Sequence, residues 1–106
     1  MIVRSWSEIS NEEMSEESIR KKFDYQRGYR FYPNTYEKGL SMDTLIGWNV
    51  RMYVIDGVCT CKQAGQIWEV ARGQFIDLVP GDYVFDTSSS PVHLMRVAYL
   101  PQLATI

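Results

Sequence analysis

Between Ile46 and Val54 every second residue is apolar: Ile46, Trp48, Val50, Met52 and Val54, with Asn49, Arg51 and Tyr53 interleaved. In an extended chain successive side chains point to opposite faces, so this alternation predicts a strand over 44–55 in a sheet buried on one side. Downstream, apolar runs at 58–62, 67–70, 75–79, 83–85 and 92–100 are separated by turn residues. These are Asp56-Gly57, Ala64-Gly65, Arg72-Gly73 and the corner Pro80-Gly81-Asp82, with the Arg72-Gly73 pair read as a hairpin. A polar loop at 87–91 precedes the last strand, and Pro101 ends it. Short strands at this spacing predict an all-β sandwich or barrel.

The chain of 106 residues is sized for one domain, with an N-terminal segment over 1–38 and a barrel core over 39–106. Its net charge of −2, with 11 scattered basic residues, argues against nucleic-acid binding, which needs a clustered cationic surface. No apolar run approaches the roughly 18 to 20 residues of a membrane span. Met1 to Trp6 carries no secretory signature, so the cytoplasm is the expected compartment.

Ahead of the strands, Ser10-Asn11-Glu12-Glu13 fits a capping box, with Ile9 and Met14 at the staple positions. Acidic residues early and Arg20, Lys21 and Lys22 late complement a helix dipole. The apolar stripe is thin, Met14, Ile19 and Phe23, as in a helix laid on the outside of something else. Ile2 to Trp6 reads as an edge strand. From Asp24 to Tyr36 arginines alternate with aromatics (Tyr25, Arg27, Tyr29, Arg30, Phe31, Tyr32, Tyr36). Such a stretch either stacks on ligand rings or forms a strand whose aromatics pack while the arginines stay wet, and the acidic whole favours the strand. Cys59 and Cys61 share one strand face at a spacing poorly suited to a disulfide, and read as two buried thiols.

The segments Met52 to Gly57 and Leu78 to Phe85 resemble the two anchor segments of the small cupins, in which a strand ends at a Gly turn and a later Pro-Gly-Asp corner opens the second half of a barrel. The resemblance covers roughly residues 40 to 100. It implies a cupin-like double-stranded β-helix, or jelly-roll barrel, here with a short N-terminal α-helix. The family's first metal motif, G-x5-H-x-H-x3-4-E-x6-G, set with its last Gly on Gly57, puts the Glu ligand at Val50. Its histidines then fall at Thr44 and Ile46, or at Asp43 and Leu45. The second motif, started from Gly81, puts its His at Val92, one residue before the chain's single histidine, His93. A cupin metal takes about three imidazoles and a carboxylate, so neither a metal nor another cofactor is expected.

By the same resemblance, the alternating strand faces the lumen, making Trp48, Val50 and Met52, with His93 and Met95 from the last strand, the candidate lining for a small apolar or aromatic ligand. The leading expectation is a metal-free small-molecule-binding or accessory domain. A metal-independent enzyme acting on a polar substrate would use His93 with Arg51, Tyr53 or Asp77, and a filled barrel would mean a structural or interaction role. With 14 aromatics in so small a chain, a homodimer is expected, with Tyr29, Phe31 and the Ile2 to Trp6 strand near the contact.

Overall fold

A computed structural model describes residues 1–23 and 28–99. Tyr25, Arg27 and the end of the last strand at Leu100 and Pro101 lie outside the described residues. The elements in order are β1 (Val3–Ser5), a 3-10 turn (Trp6–Glu8), α1 (Glu16–Lys22), β2 (Tyr29–Tyr36), β3 (Ser41–Ile46) and β4 (Asn49–Asp56). Then follow β5 (Val58–Gln63), β6 (Gln66–Ala71), β7 (Gln74–Leu78), β8 (Gly81–Asp86) and β9 (Val92–Tyr99). They form a five-stranded sheet ordered β1-β7-β4-β9-β2 and a four-stranded sheet ordered β3-β8-β5-β6. Every pairing is antiparallel.

The inner faces of the two sheets enclose one core. Val50, Met52 and Val54 of β4, Ile76 and Leu78 of β7, and Val92, Leu94 and Ala98 of β9 meet Cys59, Cys61, Val70, Tyr83 and Phe85 of the opposing sheet. Both cysteines are free and fully buried. A second core lies behind the five-stranded sheet, where Tyr53, Phe75, Met95 and Val97 are covered by Trp6, Met14, Ile19 and Phe23. Met14, Ile19 and Phe23 are all buried as expected, though only Ile19 lies within the helix itself, and together they cover the second face of the larger sheet.

Four local expectations are corrected. The predicted strand over 44–55 is two strands: β3 and β4 belong to different sheets, and the chain crosses between them at Gly47 and Trp48. The helix starts later than the Ser10 box. Ser15 is its N-cap, with Ser15 Oγ accepting from the Ser18 amide at 3.0 Å and Ser18 Oγ accepting from the Ser15 amide at 2.8 Å. Upstream, the Trp6 indole donates to the Glu12 carbonyl at 2.7 Å and Ser18 Oγ donates to the Glu13 carbonyl at 2.8 Å. Those two carbonyls are thus engaged by side chains, and residues 10–14 are not helical. Arg72-Gly73 joins β6 to β7 across the two sheets rather than closing a hairpin, since β6 pairs with β5 and β7 with β1 and β4. At the Pro80-Gly81-Asp82 corner, Pro80 followed by Gly predicts a type II turn with Gly81 near roughly +80° in φ, whereas Gly81 has φ 158°, positive but outside that turn.

The corner where a Cβ would meet backbone most closely is Gly57, where the chain leaves β4 for β5. Its φ is +84°, and a Cβ there would collide with the Pro91 carbonyl. As for the aromatic surplus, Tyr29 and Phe31 pack against Phe23 at ring-centroid distances of 4.8 and 5.8 Å. Trp6 meets Tyr53 edge-on at 5.7 Å. The rings expected at a dimer contact are largely packed within the chain.

Candidate ligand-binding site

Side-chain parity on β9 decides what reaches the lumen. Val92, Leu94 and Ala98 belong to the inter-sheet core, while Met95 and Val97 belong to the core beneath α1. His93 and Met95 thus leave the lining set. His93 instead pairs with Glu16 of α1, Nε2 to Oε2 at 2.7 Å, and ties the helix to the sheet. The sequence could not separate the faces because β9 is apolar on both. Trp48, Val50 and Met52 do lie in or against the lumen core, as expected.

The remaining candidates also face the helix side. Arg51 is buried and hydrogen-bonds Asp77 through Nε at 2.7 Å and Nη2 at 3.1 Å. Tyr53 is fully buried between Trp6 and Phe75, and burial pushes its phenol up to about 12. Arg51 and Tyr53 are neighbours near Asp77, yet neither they nor His93 line the cleft described next.

Most of the space between the sheets is filled by side chains. Toward the Trp48 end it opens into a cleft of about 330 Å³, lined by Arg30, Tyr32, Ile46, Trp48, Val50, Arg96 and Ala98. Arg96 sits on the inward parity of β9, between Tyr32 of β2 and Met52 of β4 in the ladder. Its guanidinium reaches across to the other sheet, 5.0 Å from the Phe85 ring centroid and 5.7 Å from that of Tyr36. Nη1 donates to the Tyr36 hydroxyl at 3.0 Å, whereas Nε is buried with no acceptor. Among the described residues no carboxylate lies within ion-pair distance of Arg96. Arg30 stands at the rim with its guanidinium 5.6 Å from the Trp48 ring centroid.

Arg96 and Arg30 were not among the sequence-derived site residues. One signal was available for Arg96: it interrupts an otherwise apolar alternation, Val92, Leu94, Arg96, Ala98. A charge on the buried phase of a strand is expensive and asks for a reason.

A larger groove of about 700 Å³ runs over the outer side of the four-stranded sheet, past Leu45, Lys62, Ile67, Asp82 and Val84. Lys62, the cation among its described lining residues, is already paired with Asp86 at 2.6 Å. The mouth cleft is smaller but is lined by Arg96, whose buried Nε has no acceptor.

No family model matches the sequence, and no curated protein matches it. Solved structures do match. A Cupin_2 domain of an XRE-family transcriptional regulator from Enterobacter cloacae superposes with a TM-score of 0.63 at 18% identity, over 76% of this chain and 90% of that one. The fold is that of the cupins. A cupin superfamily protein from Desulfitobacterium hafniense gives a TM-score of 0.61 at 5% identity, covering 71% of this chain and 70% of its own. A conserved protein of unknown function from Streptococcus pyogenes gives 0.62 at 14%, covering 74% and 69%. Identities this low establish the cupin-like barrel and not its chemistry.

The metal that this fold often carries was tested against the donor set. Thr44, Ile46 and Val50 stand at three of the motif positions, and His93 faces α1. Among the described residues no group of three or more His, Cys, Asp or Glu side chains is placed to hold an ion. Among the described residues, the motif positions do not offer the imidazole and carboxylate set that a cupin metal takes. Among the described residues no helix is long and apolar enough to cross a membrane.

Proposed function

We propose that this cupin-like domain is a small-molecule-binding module whose ligand enters at the Trp48 end of the barrel. The observation that carries the reading is Arg96, a guanidinium held between the sheets with a buried Nε that no acceptor meets, at the edge of a cleft of about 330 Å³. Arg96 is half-buried, and a buried N–H left without an acceptor costs free energy even where other atoms of the group are satisfied. A fold that keeps one beside an open cleft has placed it for something that arrives there. The cleft has the size and the mixed apolar and polar lining of a small-ligand site.

The catalytic reading built on His93 has less support, because His93, Arg51 and Tyr53 all lie on the helix side of the larger sheet. The interaction reading draws on the filled remainder of the lumen, yet the mouth stays open.

A fragment library screened by amide and indole chemical shifts tests the proposal. We expect the responses to concentrate at Arg30, the Trp48 indole, Val50, Arg96 and Ala98. Responses confined to the Leu45–Ile67 groove, or absent everywhere, would reject the mouth as the binding site.

A further inference from the structure

We infer that the ligand is a small planar organic acid, an aromatic ring bearing a carboxylate, with Arg96 as its anchor. The inference rests on the mouth being the binding site and adds the chemistry of what binds there.

The charge argument comes first. Arg96 Nη1 is engaged by a neutral acceptor, the Tyr36 hydroxyl, at 3.0 Å, and Nε has none. Phe85 and Tyr36 offer the cation their ring faces at 5.0 and 5.7 Å, a partial compensation for lost hydration and no counter-charge. The same chain shows what satisfies a buried guanidinium. Arg51 presents its Nε and Nη2 to the two carboxylate oxygens of Asp77 at 2.7 and 3.1 Å. With Nη1 of Arg96 turned to Tyr36, the Nε edge is the corresponding one, and the fold supplies no Asp77 for it. A carboxylate brought through the cleft supplies two oxygens in the plane that the guanidinium fork matches.

The shape argument is independent of charge. Ile46, Val50 and Ala98 line the cleft beside Arg96, with the Trp48 and Tyr32 rings among the lining side chains. Such apolar and aromatic walls suit a flat apolar body. Arg30, 5.6 Å from the Trp48 ring at the rim, adds a second positive charge on the approach path. Tyr32 lies opposite Arg96 in the ladder and is 47% exposed, so it is the wall able to swing aside as the acid seats on Nε.

The experiment titrates benzoate, its neutral counterpart benzamide, and inorganic phosphate into the protein, followed by Trp fluorescence and by amide shifts at the mouth. We expect benzoate to bind there at least about tenfold more tightly than benzamide or phosphate, as a two-point charged contact implies. Arg96→Gln, checked for folding by circular dichroism, should weaken benzoate by about tenfold or more. Arg96→Lys keeps the charge without the fork and should also weaken it, which covers the case of a misfolded Gln variant. Equal binding of benzamide would overturn the carboxylate and leave the mouth site standing. Phosphate binding as well as benzoate would overturn the aromatic acid in favour of a general anion. Benzoate binding insensitive to Arg96, or no response to any probe at millimolar concentration, would overturn the inference, and the fragment screen then decides separately on the mouth.

Discussion

Arg51 on β4 and Asp77 on β7 stand directly opposite one another in the ladder, joined by two hydrogen bonds at 2.7 and 3.1 Å. The Arg51 side chain is 5% exposed and that of Asp77 is 46% exposed, so the acid half meets water while the base half does not. Burial pulls the guanidinium pKa down, but the hydrogen bonds and charges around it, Asp77 above all, outweigh that and the net shift is upward. The guanidinium also lies 4.4 Å from the Phe75 ring centroid. The pair fixes the register of β4 on β7 and so the position of Val50, which lines the mouth.

Removing Asp77 strands the buried cation. Asp77→Ala is expected to cost roughly 1 to 3 kcal/mol, below the range for a fully buried pair because Asp77 is half exposed. The double variant Arg51→Met/Asp77→Leu should regain most of that loss, since it removes the charge along with its partner. Urea midpoints of the three proteins check this. A double variant as unstable as the single one would show that packing, not the stranded charge, sets the cost.

Two glycines share nearly the same backbone and differ in their surroundings. Gly39 has φ +85° with nothing within 4 Å of where a Cβ would stand, while at Gly57, φ +84°, the Pro91 carbonyl blocks that position. Gly39→Ala should therefore cost only the conformational strain, about 1 kcal/mol. Gly57→Ala adds a backbone collision, and we expect a total of roughly 2 to 4 kcal/mol. Equal midpoints for the two variants would mean that the Gly57 corner relaxes freely.

The lumen thiols should be inert. Burial pushes Cys59 up to about 11 and Cys61 up to about 12, so both are neutral thiols at pH 8. The native protein is expected to react with a disulfide reagent only at the rate at which it unfolds, and to release both thiols at once in denaturant. Fast reaction of the native protein at pH 8 would show that the filled part of the barrel opens to solvent.

Asp86 makes stability depend on pH. Its hydrogen bond from Lys62, then one from Ser41, lowers its pKa from the ordinary 3.8. A carboxylate depressed in the folded state contributes stability above its unfolded pKa and loses it as pH falls through the folded value. The advantage of the wild type over Asp86→Asn should thus be constant above about pH 5 and shrink below pH 3.8. Denaturation midpoints between pH 2 and 7 measure it. An advantage that persists unchanged at the acid end would remove Asp86 as its source.

The sequence by itself determined most strand positions, the Gly57 corner, the presence of an N-terminal helix and, through the two anchor segments, the cupin-like barrel. Each is a local pattern: a period of two, a glycine between strands, and the apolar residues Met14, Ile19 and Phe23 in and around the helix, all buried. It also placed Val50 and Met52 inward, because the opposite phase of β4 carries Asn49 and Arg51 and the contrast is visible. On β9 the contrast vanishes, since Met95 and Val97 lie under α1 and are as apolar as the lumen-facing Leu94. Only the tertiary structure sends His93 to Glu16 and Arg96 to Tyr36 and Phe85. The helix start, read at Ser10, lies at Ser15 for a related reason. Ser10 and Ser15 are both good caps, and a distant contact, the Trp6 indole on the Glu12 carbonyl, accompanies the choice of the second. Likewise the unbroken alternation from Ile46 to Val54 conceals a crossing between sheets at Gly47, because inward residues of either sheet face the same core. Burial reads the same on both sides of a lumen, and which wall a side chain belongs to is settled only when the walls meet.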